Sequence, residues 1–143
     1  MATRSRKQAL RYRKRLKNRP ASTCDFCTLT SQDNTEIIAS TKSFKIIRNI
    51  FPYSHWDQQE VSDHIMIIPK KHTETILDFT ASEAVEYVGL LGSYENQGYN
   101  VYARAPVSNI KSIPHQHTHL IKGSGKMQRV LLYVSRPYIR ITY

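Results

Sequence analysis

The stretch IPHQHTHLIKG, residues 113 to 123, places three of the chain's six histidines at every second position. Ile113, Leu120 and Ile121 flank it, Thr118 is β-branched and Gly123 follows, so it is predicted to be a strand closed by a turn. Strand side chains alternate between faces. His115, His117 and His119 therefore share one face, and Gln116, Thr118 and Leu120 the other. At a rise of roughly 3.3 Å per residue, the outer two histidines stand about 13 Å apart along the strand. Bonds of about 2.0 Å cannot bridge that distance, so the three do not share one zinc ion. At least one of them must act as a nucleophile, hold a proton or bind a phosphate oxygen.

The charge around this strand points to the partner. The chain has 143 residues and a formal net charge of +10, and at that length one domain is expected. Residues 1–20 hold nine basic side chains and no acid, residues 21–95 hold five basic and eleven acidic ones, and residues 96–143 hold seven basic ones and no acid. The histidines thus lie in a segment that is positive throughout, which favours anionic substrates, phosphates first among them. No run of about 18 apolar residues occurs, so no membrane association is expected. Nor is there a signal-peptide pattern; a cytoplasmic protein is expected, and the arginine-rich, acid-free start leaves mitochondrial targeting open.

Residues 1–22 read as a basic tail, disordered or loosely helical in isolation because its like charges repel, with Pro20 ending any helix. Contact with RNA, DNA or the ribosome is one use for such a tail, and a solubilising or targeting role is another. Residues 23–143 read as the domain, with a C-terminal extension from about residue 124. CDFC, residues 24–27, opens it. EIIAS and SFKIIRNI form a predicted hairpin through Thr41 and Lys42, and FPYSHWDQQEVS a long loop. A strand runs from His64 to Ile68 and stops at Pro69. TASEAVEYVGLLGSYENQ reads as a helix with Thr80 as N-cap, Glu83 completing a capping box, and Val85, Val88 and Leu91 on one face. YNVYARAP resumes the strand pattern, and RVLLYVSRPYIRITY offers two more strands around Pro137. The expected class is α+β, a mainly antiparallel five-stranded sheet with one long helix.

The C-x-x-C of Cys24 and Cys27 has three readings: a redox pair, two unconnected buried cysteines, or half of a metal site. A redox pair wants a strand before it, and only the tail precedes it here. Structural zinc is favoured because His72, after Pro69, and His115 can complete a tetrahedral Cys₂His₂ set. His117, in the middle of the triad, suits nucleophilic attack on phosphorus. His119 would donate to a phosphate oxygen or to the leaving group, and Ser112 would add a hydrogen bond from the preceding loop.

HQHTHLI resembles the signature of the histidine triad superfamily, in which alternate positions between the histidines are usually apolar; Gln116 and Thr118 are more polar than that. CDFC is similar to the N-terminal C-x-x-C of many members, and DHIMIIPKKH to the strand that ends in a proline and a histidine. Ser112 stands three residues before the first triad histidine, as a serine does in phosphoramidase members. The resemblance spans roughly Cys24 to Ile121. It implies a homodimer paired through the long helix and edge strands, and a small-molecule nucleotide substrate attacked at the α-phosphate. The intermediate would be a nucleotidyl group on His117, with His119 and Ser112 at the phosphate and leaving group and His64 as the additional histidine supporting the site.

The metal set of Cys24, Cys27, His72 and His115 resembles that of the galactose-1-phosphate uridylyltransferases, a branch that usually has glutamine where His119 stands. His119 therefore favours hydrolysis over transfer. Phosphoramidase members carry a glycine-rich loop before the triad. VYARAPVSNIKS has no glycine, brings Arg104 and Lys111 near the mouth, and leaves Asn100 or Asn109 as the substrate-contacting asparagine. Three alternatives use the same fold: a nucleic-acid-end processing enzyme (decapping or deadenylylation) held to its polymer by the tail, a catalytically weak RNA- or ribosome-binding module, and a nucleotidyltransferase.

Overall fold

A computed structural model of the chain describes residues 3–18, 20, 24–29, 36–127, 130–133 and 138–141. The centre is an antiparallel sheet built from β1 (Ile37–Ser40), β2 (Phe44–Arg48), β4 (Gln59–Pro69), β5 (Asn100–Ala103) and β6 (Thr118–Met127), in the order β1-β2-β4-β6-β5. A two-residue strand, β3 (His55–Trp56), pairs with the start of β4. Helix α1 (Arg6–Asn18) precedes the sheet, and α2 (Ala81–Glu95) lies between β4 and β5. The class is thus α+β with an antiparallel sheet, as expected, but with two helices rather than one. Strands β7 (Val130–Tyr133) and β8 (Tyr138–Ile141) form a separate antiparallel pair on either side of Pro137. Among the described residues, no helix is long and apolar enough to cross a membrane.

Period-two alternation divides the core. On one face Phe44, Ile46, Ile65, Ile67 and Leu120 pack under α2. Ile47, Met66 and Ile68 point the other way, against Phe26 and Leu29 of the cysteine segment. Each such side chain, taken fully out of water, contributes roughly 1.5–3 kcal/mol. Thr118, facing α2, is fully buried and bonds the Tyr87 hydroxyl at 2.6 Å. A lone hydroxyl at that depth would otherwise carry the desolvation cost of an unpaired polar group.

Thr80 caps α2 and makes the reciprocal capping box with Glu83 that the sequence suggests. The buried stripe is different. Tyr87, Leu90, Leu91 and Tyr94 pack on the sheet, while Val85 and Val88 are 74% and 65% exposed. Two apolar stripes run along this helix, and periodicity alone does not say which one meets the sheet.

The segment read as a long loop, residues 51–62, is partly a hairpin. Asp57 and Gln58 both have positive φ, 47° and 64°, the signature of a tight two-residue turn between β3 and β4. It went unread because neither residue is glycine or asparagine. β4 consequently starts at Gln59, five residues before His64. Gly123 does not end β6, which continues to Met127. The backbone of Gly123 lies where β4 and β6 shift register, close against the side-chain amide of Gln59, which would have to swing aside for any Cβ there.

Candidate functional site

Only His119 of the three triad histidines lies on regular strand. β6 begins at Thr118, and a bend at residues 113–115 leads into it. The side chains nevertheless keep to one side of the sheet. Phe26 stands between His115 and His117, with ring centroids 5.7 and 5.1 Å away, and His117 meets His119 edge-on at 5.1 Å. The row ends with His64 and Tyr53, their rings 4.7 Å apart.

The row divides into two sites. At one end His115 meets Cys24, Cys27 and His72, whose potential ligand atoms all lie within 4.8 Å of one another. Cys27 Sγ is 3.2 Å from His72 Nδ1 and 3.5 Å from His115 Nδ1, and Cys24 Sγ is 3.4 Å from His115 Nδ1. Tetrahedral ligands at bond lengths of about 2.0–2.3 Å stand roughly 3.5 Å apart, so these donors fit a metal ion. His115 Nε2–H donates to the Pro69 carbonyl at 3.0 Å, which leaves Nδ1 as the lone-pair nitrogen and fixes the ring. The C-x-x-C itself is held as a turn, with Cys27 N–H donating to the Cys24 carbonyl at 3.1 Å.

The other end opens on a cavity of about 640 Å³, lined by His117, His119, Ser112, Phe26, Met66 and Tyr53 among others. That volume suits a nucleotide-sized ligand. His117 Nδ1–H donates to the His115 carbonyl at 2.7 Å, so the remaining lone pair of the ring is on Nε2. Burial holds the His117 pKa down to about 4, with the charges of Lys111, His115 and Arg104 adding to the effect against the opposing hydrogen bond to His115. It is neutral at physiological pH.

His64 and His119 are linked by a 2.9 Å contact from Nε2 to Nδ1. The Tyr53 N–H donates to His64 Nδ1 at 3.1 Å, so a neutral His64 carries its proton on Nε2 and donates to His119. His119 then carries its own proton on Nε2, the donor form. Asn49 Nδ2, 3.1 Å from His64 Nε2, competes with this arrangement, but Tyr53 leaves that proton no other place.

Burial, followed by the charge of Arg4, pushes His64 down to about 3; burial and then the charge of His64 push His119 well below its ordinary value. Unfolded histidine titrates near 6.5, so between about pH 3 and 6.5 the unfolded chain binds protons that the native His64 refuses. Stability is therefore full above pH 6.5 and falls as pH drops, by up to about 1.4 kcal/mol per pH unit for each such histidine. Urea midpoints measured from neutral pH down to about pH 5 should decline, and decline less steeply in His64→Gln. A flat profile would show that these histidines are not buried in neutral form.

The structure places the remaining expected residues unequally. Arg104 and Lys111 line the cavity, Arg104 lying over the Tyr102 ring at 5.3 Å and Lys111 Nζ donating to the Glu74 carbonyl at 2.9 Å. Asn109 lines it too. Asn100 begins β5, its Nδ2 donating to the Ile121 carbonyl at 3.3 Å, and is not among the lining residues. His64 reaches the cavity through His119.

The sequence reading missed Asn49, Tyr53 and the N-terminal segment. Thr3 is buried, pairs with His55, and accepts from Ser54 N–H at 2.7 Å. Arg4 lies over the rings of Tyr12 and Tyr53, at 4.2 and 4.7 Å, and its Nε donates to the Phe51 carbonyl at 3.0 Å. Through these contacts Tyr12, Arg13, Arg15 and Leu16 of α1 become a wall of the cavity. The one available signal was Tyr12 and Leu16, two apolar residues four apart in an otherwise charged stretch.

No protein-family model and no curated protein matches the sequence. Solved structures do. A HIT family hydrolase from Legionella pneumophila Philadelphia 1 superposes with a TM-score of 0.53 at 22% identity, covering 74% of this chain and 96% of that one. A HIT family hydrolase from Clostridium thermocellum gives 0.54 at 20%, over 78% and 100%. A histidine triad nucleotide-binding protein from Candida albicans gives 0.52 at 20%, over 71% and 76%. The strand order, the row of histidines leading into β6 and these superpositions agree: the chain has the fold of the histidine triad proteins.

Proposed function

We propose that this protein hydrolyses a nucleotide at its α-phosphate, taking as substrate a nucleoside phosphoramidate, a dinucleoside polyphosphate or a related conjugate. The observation that carries the reading is the Nδ1–H bond from His117 to the His115 carbonyl, which leaves a neutral nucleophilic Nε2 on a residue lining a nucleotide-sized cavity. The Nε2 lone pair attacks phosphorus, forming a P–N bond while the bond to the leaving group breaks and its electron pair departs. His119 Nε2–H donates a hydrogen bond to a phosphoryl oxygen or to the leaving atom, and Ser112 lies on the same cavity wall. Water then cleaves the P–N bond, releases nucleoside monophosphate and restores His117. The test is the covalent adduct on His117, observed by intact mass.

Zinc is the metal that two thiolates and two neutral imidazoles select, and Cys24, Cys27, His72 and His115 would hold it. With four protein ligands there is no open position, so its contribution is to fold the cysteine segment onto the triad.

The exposed Val85 and Val88 of α2, with Val101 of the edge strand β5 at 44% exposure, support the expected homodimer through this helix and edge. Size-exclusion chromatography with light scattering should give twice the chain mass for the wild type and a monomer for Val88→Asp. A monomeric wild type at micromolar concentration overturns the pairing.

A further inference from the structure

We propose that Arg4 is a further substrate-contacting residue of the triad cavity, its guanidinium binding a phosphate of the nucleotide. This deepens the reading above and rests on it for the reaction, though not for the binding.

The side chain is built into the site. Thr3, just before it, is buried and bridged to His55, its N–H donating to the His55 carbonyl at 2.9 Å; just after it, the Ser5 N–H donates to Ser54 Oγ at 2.7 Å. The backbone on both sides of Arg4 is thus tied to β3 and the residue before it. Arg4 Nε donates to the Phe51 carbonyl at 3.0 Å, and the guanidinium lies over two rings, Tyr12 at 4.2 Å and Tyr53 at 4.7 Å. These contacts fix the plane of the group and occupy only its Nε–H donor. Among the described residues, the N–H groups of its two terminal nitrogens have no hydrogen-bond partner. An arginine held in this way has given up most of its side-chain freedom before any ligand arrives, which lowers the entropic cost of an ordered contact.

Its charge is also unanswered. Of the arginines that line the cavity, Arg15 is paired with Asp25 at 3.6 Å, and Arg48 with Glu36 and Asp63 at 2.7 and 2.8 Å. Arg13 is exposed, whereas Arg4 and Arg104 are half-buried and make no ion pair among the described residues. These two stand in matching positions around His119. Arg104 lies over Tyr102, whose ring stacks on His119 at 5.8 Å; Arg4 lies over Tyr53, whose ring is 5.7 Å from the same imidazole. One tyrosine ring separates each guanidinium from His119. The charge of Arg4 is accordingly felt at His64 and His119, where it helps to keep both rings neutral. A half-desolvated cation that no carboxylate answers, in the same cavity as His117, is stabilised when an anion takes its terminal N–H groups. The planar fork of arginine matches two phosphate oxygens at once.

The test titrates the full chain by calorimetry with adenosine, AMP and the non-hydrolysable α,β-methylene-ADP. Arg4→Gln should weaken AMP, the methylene analogue or both by at least about tenfold while leaving adenosine within about twofold. Arg4→Lys, which keeps the charge but not the fork, should fall between. Loss with both phosphate-bearing ligands puts Arg4 on the α-phosphate, and loss with the analogue alone puts it on the phosphate of the leaving group. If adenosine weakens as much as they do, Arg4 only braces the N-terminal segment; if no ligand weakens, it makes no contact. Either result overturns the proposal. Turnover of adenosine phosphoramidate is measured in parallel. A wild type that binds phosphate through Arg4 but hydrolyses nothing refutes the hydrolase reading and leaves the contact standing, and hydrolysis with phosphate binding unchanged in Arg4→Gln does the reverse.

Discussion

Wild-type protein mixed with an adenosine phosphoramidate and quenched quickly should gain the mass of one nucleotidyl group, and His117→Ala should gain none. The expectation follows from protonation. A histidine with pKa near 6.5 spends part of its time as imidazolium, which has no lone pair to offer. Here burial keeps His117 at about 4, and the His115 carbonyl fixes the remaining proton on Nδ1. The ring thus keeps its Nε2 lone pair available at neutral pH without needing a neighbouring base. Removing it takes away the only bond-forming atom of the first step, and turnover should drop by about 10⁴-fold or more, on the scale seen when nucleophiles are deleted elsewhere. His119→Ala should behave differently, slowing adduct formation while leaving the site of the adduct unchanged. If both variants form adduct at the wild-type rate, the nucleophile lies elsewhere and the proposed reaction is wrong.

The second large effect concerns the metal. Purified protein should hold close to one equivalent of zinc, and chelation or Cys24→Ser should lower the unfolding midpoint by about 10 °C, the shift expected for a few kcal/mol in a domain of this size. The reason lies in what the cysteine segment covers. Phe26 and Leu29 pack on Ile47, Met66 and Ile68, and Phe26 also supports the rings of His115 and His117. Among the described residues, Lys45 Nζ also donates to the Leu29 carbonyl at 3.1 Å. Losing the metal should therefore expose this apolar face before it disturbs the sheet. The fraction that remains folded should keep most of its rate per active site. Zinc below half an equivalent in protein never exposed to chelator would sink the assignment.

How much of this was legible beforehand can be seen residue by residue. Strand geometry alone argued that the three triad histidines do not share one ion, because the outer two of an extended strand stand about 13 Å apart. In the structure His115 faces the cysteines while His117 and His119 face the cavity. The capping box of α2 was equally plain, because Thr80 and Glu83 carry a local signal that no distant contact is needed to read. The buried face of α2 was not plain. Val88 and Tyr87 are neighbours in sequence, and either could have met the sheet. The choice fell to Tyr87 because its hydroxyl finds Thr118, a partner 31 residues away.

The same division holds for the site. Residue types and spacing were enough to single out Cys24, Cys27, His72 and His115 as a group able to hold a metal, and the positive charge around the triad, since these depend on chemistry carried within short motifs. The tertiary structure decided what those motifs face. Asn49 and Tyr53 acquired their roles only when β2, β3 and β4 brought them against His64. The N-terminal segment, whose charge pattern by itself describes a solvated tail, became a wall of the cavity because Arg4 finds Tyr53 and the Phe51 carbonyl nearly fifty residues on. Local patterns record the conformation a segment prefers and the chemistry it carries; which surfaces meet depends on burial and pairing between residues far apart in the chain.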